Sequence, residues 1–345
     1  FAGRYRIIDF LLSSLANCGI SNIAIVVREN YHSLMDHLGS GRAWDLLRNN
    51  GGPRIFPPYA ETNMKVYSGR VEELESILPY LTSQKEKYVI MMDANIAVDF
   101  DFNAMLAEHI ESGADVTVAY TEQEIPAELI RAGSHGDMYY TLKLDDGRVR
   151  RIFMNSEMCG KQNLSMNIYI MDREALIDKI HAAFVRGSSC FGRDILAPRL
   201  EKYNIRGYKY DGYYARICGL KSYFDENMKL LDDENLDALF TGGQIYTKIR
   251  DDNPTRYITG CKAKNNLVAD GCVIEGDVEN CILFRGVKIE KGAKIRNSVL
   301  MQDTVVKAGG RLDYVVTDKN VTIEVGQELK GTDTQPFYVV KGHTV

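Results

Sequence analysis

The feature that most constrains this chain is a repeat. Beyond about residue 258, helical spacing disappears and short aliphatic pairs alternate with Gly, Asn and Asp turns. Val268 and Ile274 are six residues apart, as are Ile289 and Ile295, Val299 and Val305, and Gly286 and Gly292. A longer period lies on top. "ENCILF", "RNSVLM" and "LDYVVT" align, so Ile282, Val299 and Val315 recur at nearly equal intervals, each a little under three six-residue steps. Six residues per side and roughly 18 per coil is the pattern of a left-handed, three-sided parallel β-helix, in which each coil buries its neighbour. The aliphatic residues are then expected to point into shared interior columns. An antiparallel sandwich of short strands is the alternative, and the six-residue step favours the β-helix.

The chain from 1 to 235 follows another grammar. Ile7, Leu11, Leu15 and Cys18 recur at helical spacing, with Gly19 as a stop. "NIAIVV" (22–27), "YVIMM" (88–92), "DVTVAY" (115–120), "NIYIM" (167–171) and "YYARI" (213–217) read as strands. Helices are expected around Leu34–Leu38, on Phe102, Met105, Leu106 and His109, on Leu176, Ile177, Ile180 and Phe184, and over "SYFDENMKLL". "YYTLKL" and "RVRRIF" flank Asp146-Gly147, a hairpin turn signal. Alternating strands and helices predict an α/β fold with a mostly parallel, doubly wound sheet. The expected organisation is an α/β domain at 1–235, a linker at 236–258 marked by Gly242-Gly243 and Pro254, and the β-helix at 259–345.

Bulk properties narrow the function. The formal net charge is −5, and no basic block interleaved with aromatics occurs, so nucleic acid is not an expected partner. Seven Cys without a CxxC pair read as reduced thiols of a cytoplasmic protein. The apolar runs are too short for a membrane span, so none is expected. GxGxxG and GxxxxGK[ST] loops do not occur in the sequence.

Individual residues then come into view. Asp93 ends the apolar run 88–92, a common way to present a metal ligand or base at a sheet mouth; a helix cap or surface acid is the plainer reading. Asp99 and Asp101 are expected to cap the helix beginning near Phe102. Arg4 and Arg6 precede a helix start and could hold a phosphate, although a solvated basic entry is the simpler reading. His32, His37 and His109 fall in helical patterns and read as structural. Cys190, before "FGRDI", reads first as a small apolar residue and second as a reactive thiol.

Several long motifs, "FAGRYRIIDFLLSSLANCGI", "HSLMDHLGSGRAWDL", "FPPY", "ADVTVAY", "FGRDI", "SYFDENMKLL" and "GCVIEGDVENCILFRGVKIEKGAKIRNSVLMQDTVV", resemble those of bacterial glucose-1-phosphate adenylyltransferase over essentially the whole chain. The resemblance implies a nucleotidyltransferase (Rossmann-like, GT-A-like) domain followed by the β-helix. It implies an activity joining ATP to glucose 1-phosphate with release of pyrophosphate in glycogen biosynthesis, and magnesium held by two aspartates.

Set on that family's pattern, the catalytic residues depart. Asp93 matches the first metal aspartate, with Met92 and Ala94 as neighbours. Arg216, in "GYYARICG", stands where the second metal aspartate belongs. "MNSEMCG" follows "RVRRIF" without the family's sugar-phosphate lysine, and Cys190 replaces an acid before "FGRDI". Tyr67 and Gly69 are retained from the nucleotide segment, and Ser165 and Met166 from the sugar-phosphate strand. The family's Gly-Gly-x-Gly-x-Arg loop would fall before Phe1. Two unit charges about 4 Å apart interact by about 4 kcal/mol at an effective dielectric of about 20. A divalent ion therefore loses beside Arg216 what it would gain beside a carboxylate, so no metal is expected, and Arg216 is expected to pair with Asp93.

This pattern resembles the family's D-type, non-catalytic regulatory subunit. It implies a heterotetramer with a catalytic paralogue, which would carry the Mg2+, and leaves a homo-oligomer open. Three rivals remain: a weakly active adenylyltransferase, a sugar-phosphate sensor using Arg4, and a β-helix acyltransferase, which His343 at the terminus serves poorly as a base.

Overall fold

A computed structural model describes residues 1–28, 31–46, 52–57, 69–134, 138–156 and 158–345. It contains two compact units that follow packing rather than chain order. One comprises Leu12–Ala94 and Phe100–Tyr214; the other comprises Phe1–Leu11, Asn95–Asp99 and Ala215–Val345.

The first of these units is α/β. Asn22–Val26 pairs in parallel with Gly52–Phe56. Among the described residues, six strands form a sheet in the order Tyr88–Met91, Lys161–Asp172, Val116–Glu124, Ile205–Lys209, Arg148–Met154 and Tyr140–Asp145. Val116–Glu124 and Ile205–Lys209 run parallel, while Lys161–Asp172 runs antiparallel to both of its main neighbours. The hairpin before it joins Tyr140–Asp145 and Arg148–Met154 in antiparallel pairing as well. Asp146 and Gly147 take φ values of 47° and 71°, the doubly left-handed turn that matches strand twist.

Helices cover the sheet where the apolar stripe and a capping acid coincide. Asp172 ends its strand and caps Arg173–Val185, accepting from the Ala175 N–H at 3.0 Å. Leu176, Ile180 and Ala183 are its buried stripe, packed with Met91, Val116, Val118 and Ile205. Phe184, expected in that stripe, lies one position beyond it and is 42% exposed. Asp101 caps Phe102–Glu111 through the N–H groups of Asn103 and Ala104, and Phe102, Met105 and His109 are its buried side.

The other unit contains the left-handed β-helix. Lys262–Val268, Asp277–Leu283, Lys294–Leu300 and Arg311–Asp313 stack in parallel, each of the longer strands bending at a corner. Asp277 faces Lys294 and Lys294 faces Arg311, so each of these coils is one position short of three full six-residue sides. Lys262 faces Asp277, a coil shorter still. The coils are thus slightly tighter than the sequence period predicts. Asn265, Asn280 and Asn297 turn corners at φ values of 50°, 54° and 44°, a left-handed conformation that Asn tolerates better than most residues. Their amides form a ladder: Asn265 donates to Asn280 at 2.9 Å, Asn280 to Asn297 at 3.3 Å, and Asn297 to Asp313 at 3.0 Å.

The stacking corrects one expected column. Val299 faces Ile282 on one side and Val316 on the other, so the next member is Val316 rather than Val315. A one-residue slip exchanges the two faces of a strand. Cys281 and Val315 belong to the interior, whereas Ile282, Val299 and Val316 form an outer face covered by Phe224 of the helix Leu220–Lys229. The sequence pattern hides the step because Tyr314, one coil after Asn297, keeps the left-handed corner (φ 53°) without the Asn side chain that marks it elsewhere.

The segment 236–258 is partly regular. Asp232 caps the helix Asp233–Phe240, and Arg256–Tyr257 already joins a β-helix ladder. Phe240 packs against Tyr5 and Phe10, at centroid distances of 5.3 and 5.9 Å.

Candidate functional site

The strand Tyr88–Met91 leaves the sheet two residues before Asp93, whose side chain is 31% exposed. Among the described residues, Arg70 and Asn167 both donate to its carboxylate. Arg70 forms an ion pair and hydrogen bond with Oδ1, and Nδ2 of Asn167 donates to Oδ2 at 2.6 Å.

Each donor is positioned by a local departure from regular structure. In the antiparallel pair, Val118 faces Tyr169 but Tyr120 faces Ser165, so Lys161–Asp172 bulges around Asn167. Asn167 takes φ 57° within this bulge. Such a bulge re-aims a side chain that regular pairing would place elsewhere. The Asn167 N–H donates to Ser165 Oγ at 3.1 Å, and Tyr169 Oη donates to Asn167 Oδ1 at 3.3 Å.

Arg70 begins the helix Arg70–Ser76. Gly69 before it is extended and lies against Ser189: an added Cβ would stand 2.4 Å from the Ser189 carbonyl oxygen. That same oxygen accepts from the Val71 N–H at 3.1 Å. Ser189 is fixed in turn by Asp194, which accepts from the N–H groups of Ser189 and Cys190 at 3.1 and 3.0 Å. Arg193, with those two N–H groups, holds the Asp194 carboxyl down to about 2. A chain of contacts thus runs from Asp194 through Ser189 and Gly69 to Arg70 and Asp93.

The electrostatics agree with that geometry. Burial pulls on Arg70 to lose its proton, but the carboxylates of Asp93 and Glu73 outweigh it and raise its pKa above the usual arginine range. The guanidinium also lies 5.6 Å from the Tyr169 ring centroid, an arrangement that favours a cation over the ring face. Burial raises Tyr169 against the opposing pull of Arg70, so the phenol stays neutral.

The residues marked in the sequence fall in different surroundings. Ser165 and Met166 are fully buried in the sheet. Gly69 is explained by the close approach of Ser189. Tyr67 lies outside the described residues. Cys190 precedes the turn of helix Phe191–Leu196, and its Sγ lies 2.5 Å from Tyr140 Oη and 3.7 Å from Met138 Sδ. Burial, with Cys190 beside it, raises the Tyr140 pKa. Arg216 ends the strand Tyr214–Arg216, and its expected pairing with Asp93 would join residues of different compact units. Arg4 lies 4.0 Å from Asp270 and 5.6 Å from the ring of Tyr5. Sequence reasoning passed over Arg70 and Asn167. Arg70 directly follows the retained Gly69 in "YSGRVEE", and that adjacency was the available signal.

The donor set does not suit the magnesium implied by the resemblance. Oxygen-only sites for such a cation use several oxygens, or one or two carboxylates with substrate phosphates. Here both oxygens of Asp93 already accept from nitrogen donors, one of them cationic. Among the described residues, no group of three or more His, Cys, Asp and Glu could hold a metal ion.

Comparison with known proteins places this geometry in a family. Residues 1–232 match the nucleotidyl transferase family, and residues 250–343 match the GlmU-like C-terminal hexapeptide family. The glycogen biosynthesis protein GlgD of Bacillus subtilis is 33% identical over 99% of this chain and 88% of its own length. The glucose-1-phosphate adenylyltransferases of Bacillus mycoides and Bacillus cereus are each 32% identical over 96% of this chain and 87% of their own lengths. The chain belongs to the glucose-1-phosphate adenylyltransferase family of nucleotidyl transferases, with GlgD among its relatives.

Proposed function

We infer that this chain is a non-catalytic regulatory subunit of a cytoplasmic glucose-1-phosphate adenylyltransferase, and that it assembles with a catalytic paralogue and activates it. The observation that carries this reading is the state of Asp93. The acid that should face a metal accepts from Arg70 and Asn167 instead. Arg216 in place of the second acid supports the same reading. Catalysis of nucleotidyl transfer rests on positioning and neutralisation of phosphate charge by metal and basic groups, and this chain has exchanged an acidic metal pair for an internally balanced one. Magnesium then belongs to the catalytic partner, and no cofactor is assigned to this chain.

The test is activity with ATP, glucose 1-phosphate and magnesium. The purified chain alone should show no turnover on the ordinary enzyme scale of about 1–10³ s⁻¹. Co-expression with a catalytic paralogue should give a heterotetramer whose rate or effector response differs from that of the paralogue alone. Full turnover by the isolated chain sinks the reading.

A sugar-phosphate-sensing role has a separate support. Arg4 is 42% exposed, and Arg285 feels the positive charges of Arg4 and Arg250 as well as the negative charges of Asp252 and Asp270. Arg4→Ala should weaken the response of the mixed complex to a sugar-phosphate activator while leaving assembly intact. An unchanged activation curve removes Arg4 from the account.

A further inference from the structure

The mismatch between Asp93 and a metal has a specific source within the chain. Arg70 is anchored from three sides: Gly69 packs on the Ser189 backbone, Val71 donates to the same carbonyl, and the guanidinium lies near the Tyr169 ring. None of these contacts requires Asp93, so the cation is delivered to the strand end by the fold around it. Asn167 closes the second carboxylate oxygen from the opposite element.

We propose that Arg70 is the resident counterion of Asp93, occupying the electrostatic place of a divalent cation and holding the carboxylate closed to one. This rests on the regulatory reading of the same site and names the residue that keeps metal out. A guanidinium cannot exchange with solvent as a metal does, so Asp93 stays neutralised whatever the cation concentration.

Mn2+ alone, without nucleotide, is the probe, applied to the full chain during thermal unfolding and by electron paramagnetic resonance. The wild type should unfold at the same temperature with and without Mn2+. Arg70→Gln removes the charge and keeps an amide donor. It should unfold earlier than wild type and gain a Mn2+-dependent rise of roughly 2–4 °C at about tenfold the dissociation constant. Arg70→Gln combined with Asp93→Asn should lose that rise. Arg70→Lys, which retains the charge, should remain indifferent to Mn2+.

A wild-type rise that Asp93→Asn abolishes overturns the proposal, as does an Arg70→Gln protein that folds and ignores Mn2+. Should Arg70→Gln fail to fold, Mn2+ occupancy of wild type against Asp93→Asn decides: equal spectra support the counterion, and bound Mn2+ lost with Asp93 refutes it. An isolated chain that turns over yet ignores free Mn2+ would sink only the regulatory reading. A silent chain with Mn2+ at Asp93 would sink only this one.

Discussion

Asn167 donates its amide to Asp93 over 2.6 Å from a left-handed backbone position inside a strand. Two costs are therefore joined at one residue. Asn167→Ala should remove one hydrogen-bond donor from a half-buried carboxylate. It should also force a side chain that tolerates the left-handed region poorly to stay there. A loss of about 1.5–3 kcal/mol is expected from the lost hydrogen bond to a charged group. Asn167→Gly relieves the backbone and should lose less. Urea unfolding of both variants measures the difference, and equal losses would show that the backbone position carries no strain.

Gly69→Ala tests the contact that delivers Arg70. The new methyl group would meet the Ser189 carbonyl oxygen at 2.4 Å, and that oxygen also serves the Val71 N–H. Relief requires moving backbone, so the expected cost is about 1–3 kcal/mol. A denaturation midpoint unchanged from wild type would contradict the packing described.

Phe224→Ala addresses the outer face of the β-helix. Phe224 is 2% exposed and lies on Ile282, Val299 and Val316. Truncation should cost about 3–5 kcal/mol, the range for a buried aromatic. Were that face uncovered, truncation would leave the midpoint nearly unmoved.

His109 gives a pH-dependent expectation. Its Nδ1 lies 2.7 Å from Thr117 Oγ1, and its ring meets Tyr88 edge to face. Burial lowers its pKa from 6.5, assisted by Lys87 and opposed by Asp115 and Asp172. The folded state then binds fewer protons than the unfolded chain as pH drops below about 6.5. The histidine's contribution is complete above that value and is lost as pH falls through the lower, folded-state pKa. Melting temperatures from pH 7.5 down to 5 should fall less steeply in His109→Gln than in wild type.

What could be read from the sequence was what neighbouring residues decide. Asp101 as a cap, Asp146-Gly147 as a turn and Gly19 (φ 75°) as a helix stop are encoded within a few positions of where they act. The β-helix was legible because its period repeats. Its one slip came at Tyr314, where the corner loses its Asn. The Asp93 surroundings were less legible for a different reason. Arg70 and Asn167 lie 23 and 74 residues from Asp93 along the chain. Asn167 also reads as the start of a strand, whereas the strand begins at Lys161 and bulges around it. A bulge is a property of two paired strands and has no signature in either alone.

The composition of the β-helix unit also sets an order of events during synthesis. Phe1–Leu11 shares a compact unit with Ala215–Val345. On a ribosome adding about 5–20 residues per second, the earlier segment emerges roughly 10–40 s before the first part of its main packing surface exists. Phe10 is completely buried in the folded structure, and its ring partner Phe240 is made only after that interval. The early apolar segment thus waits for the helix Asp233–Phe240 before its aromatic cluster can close.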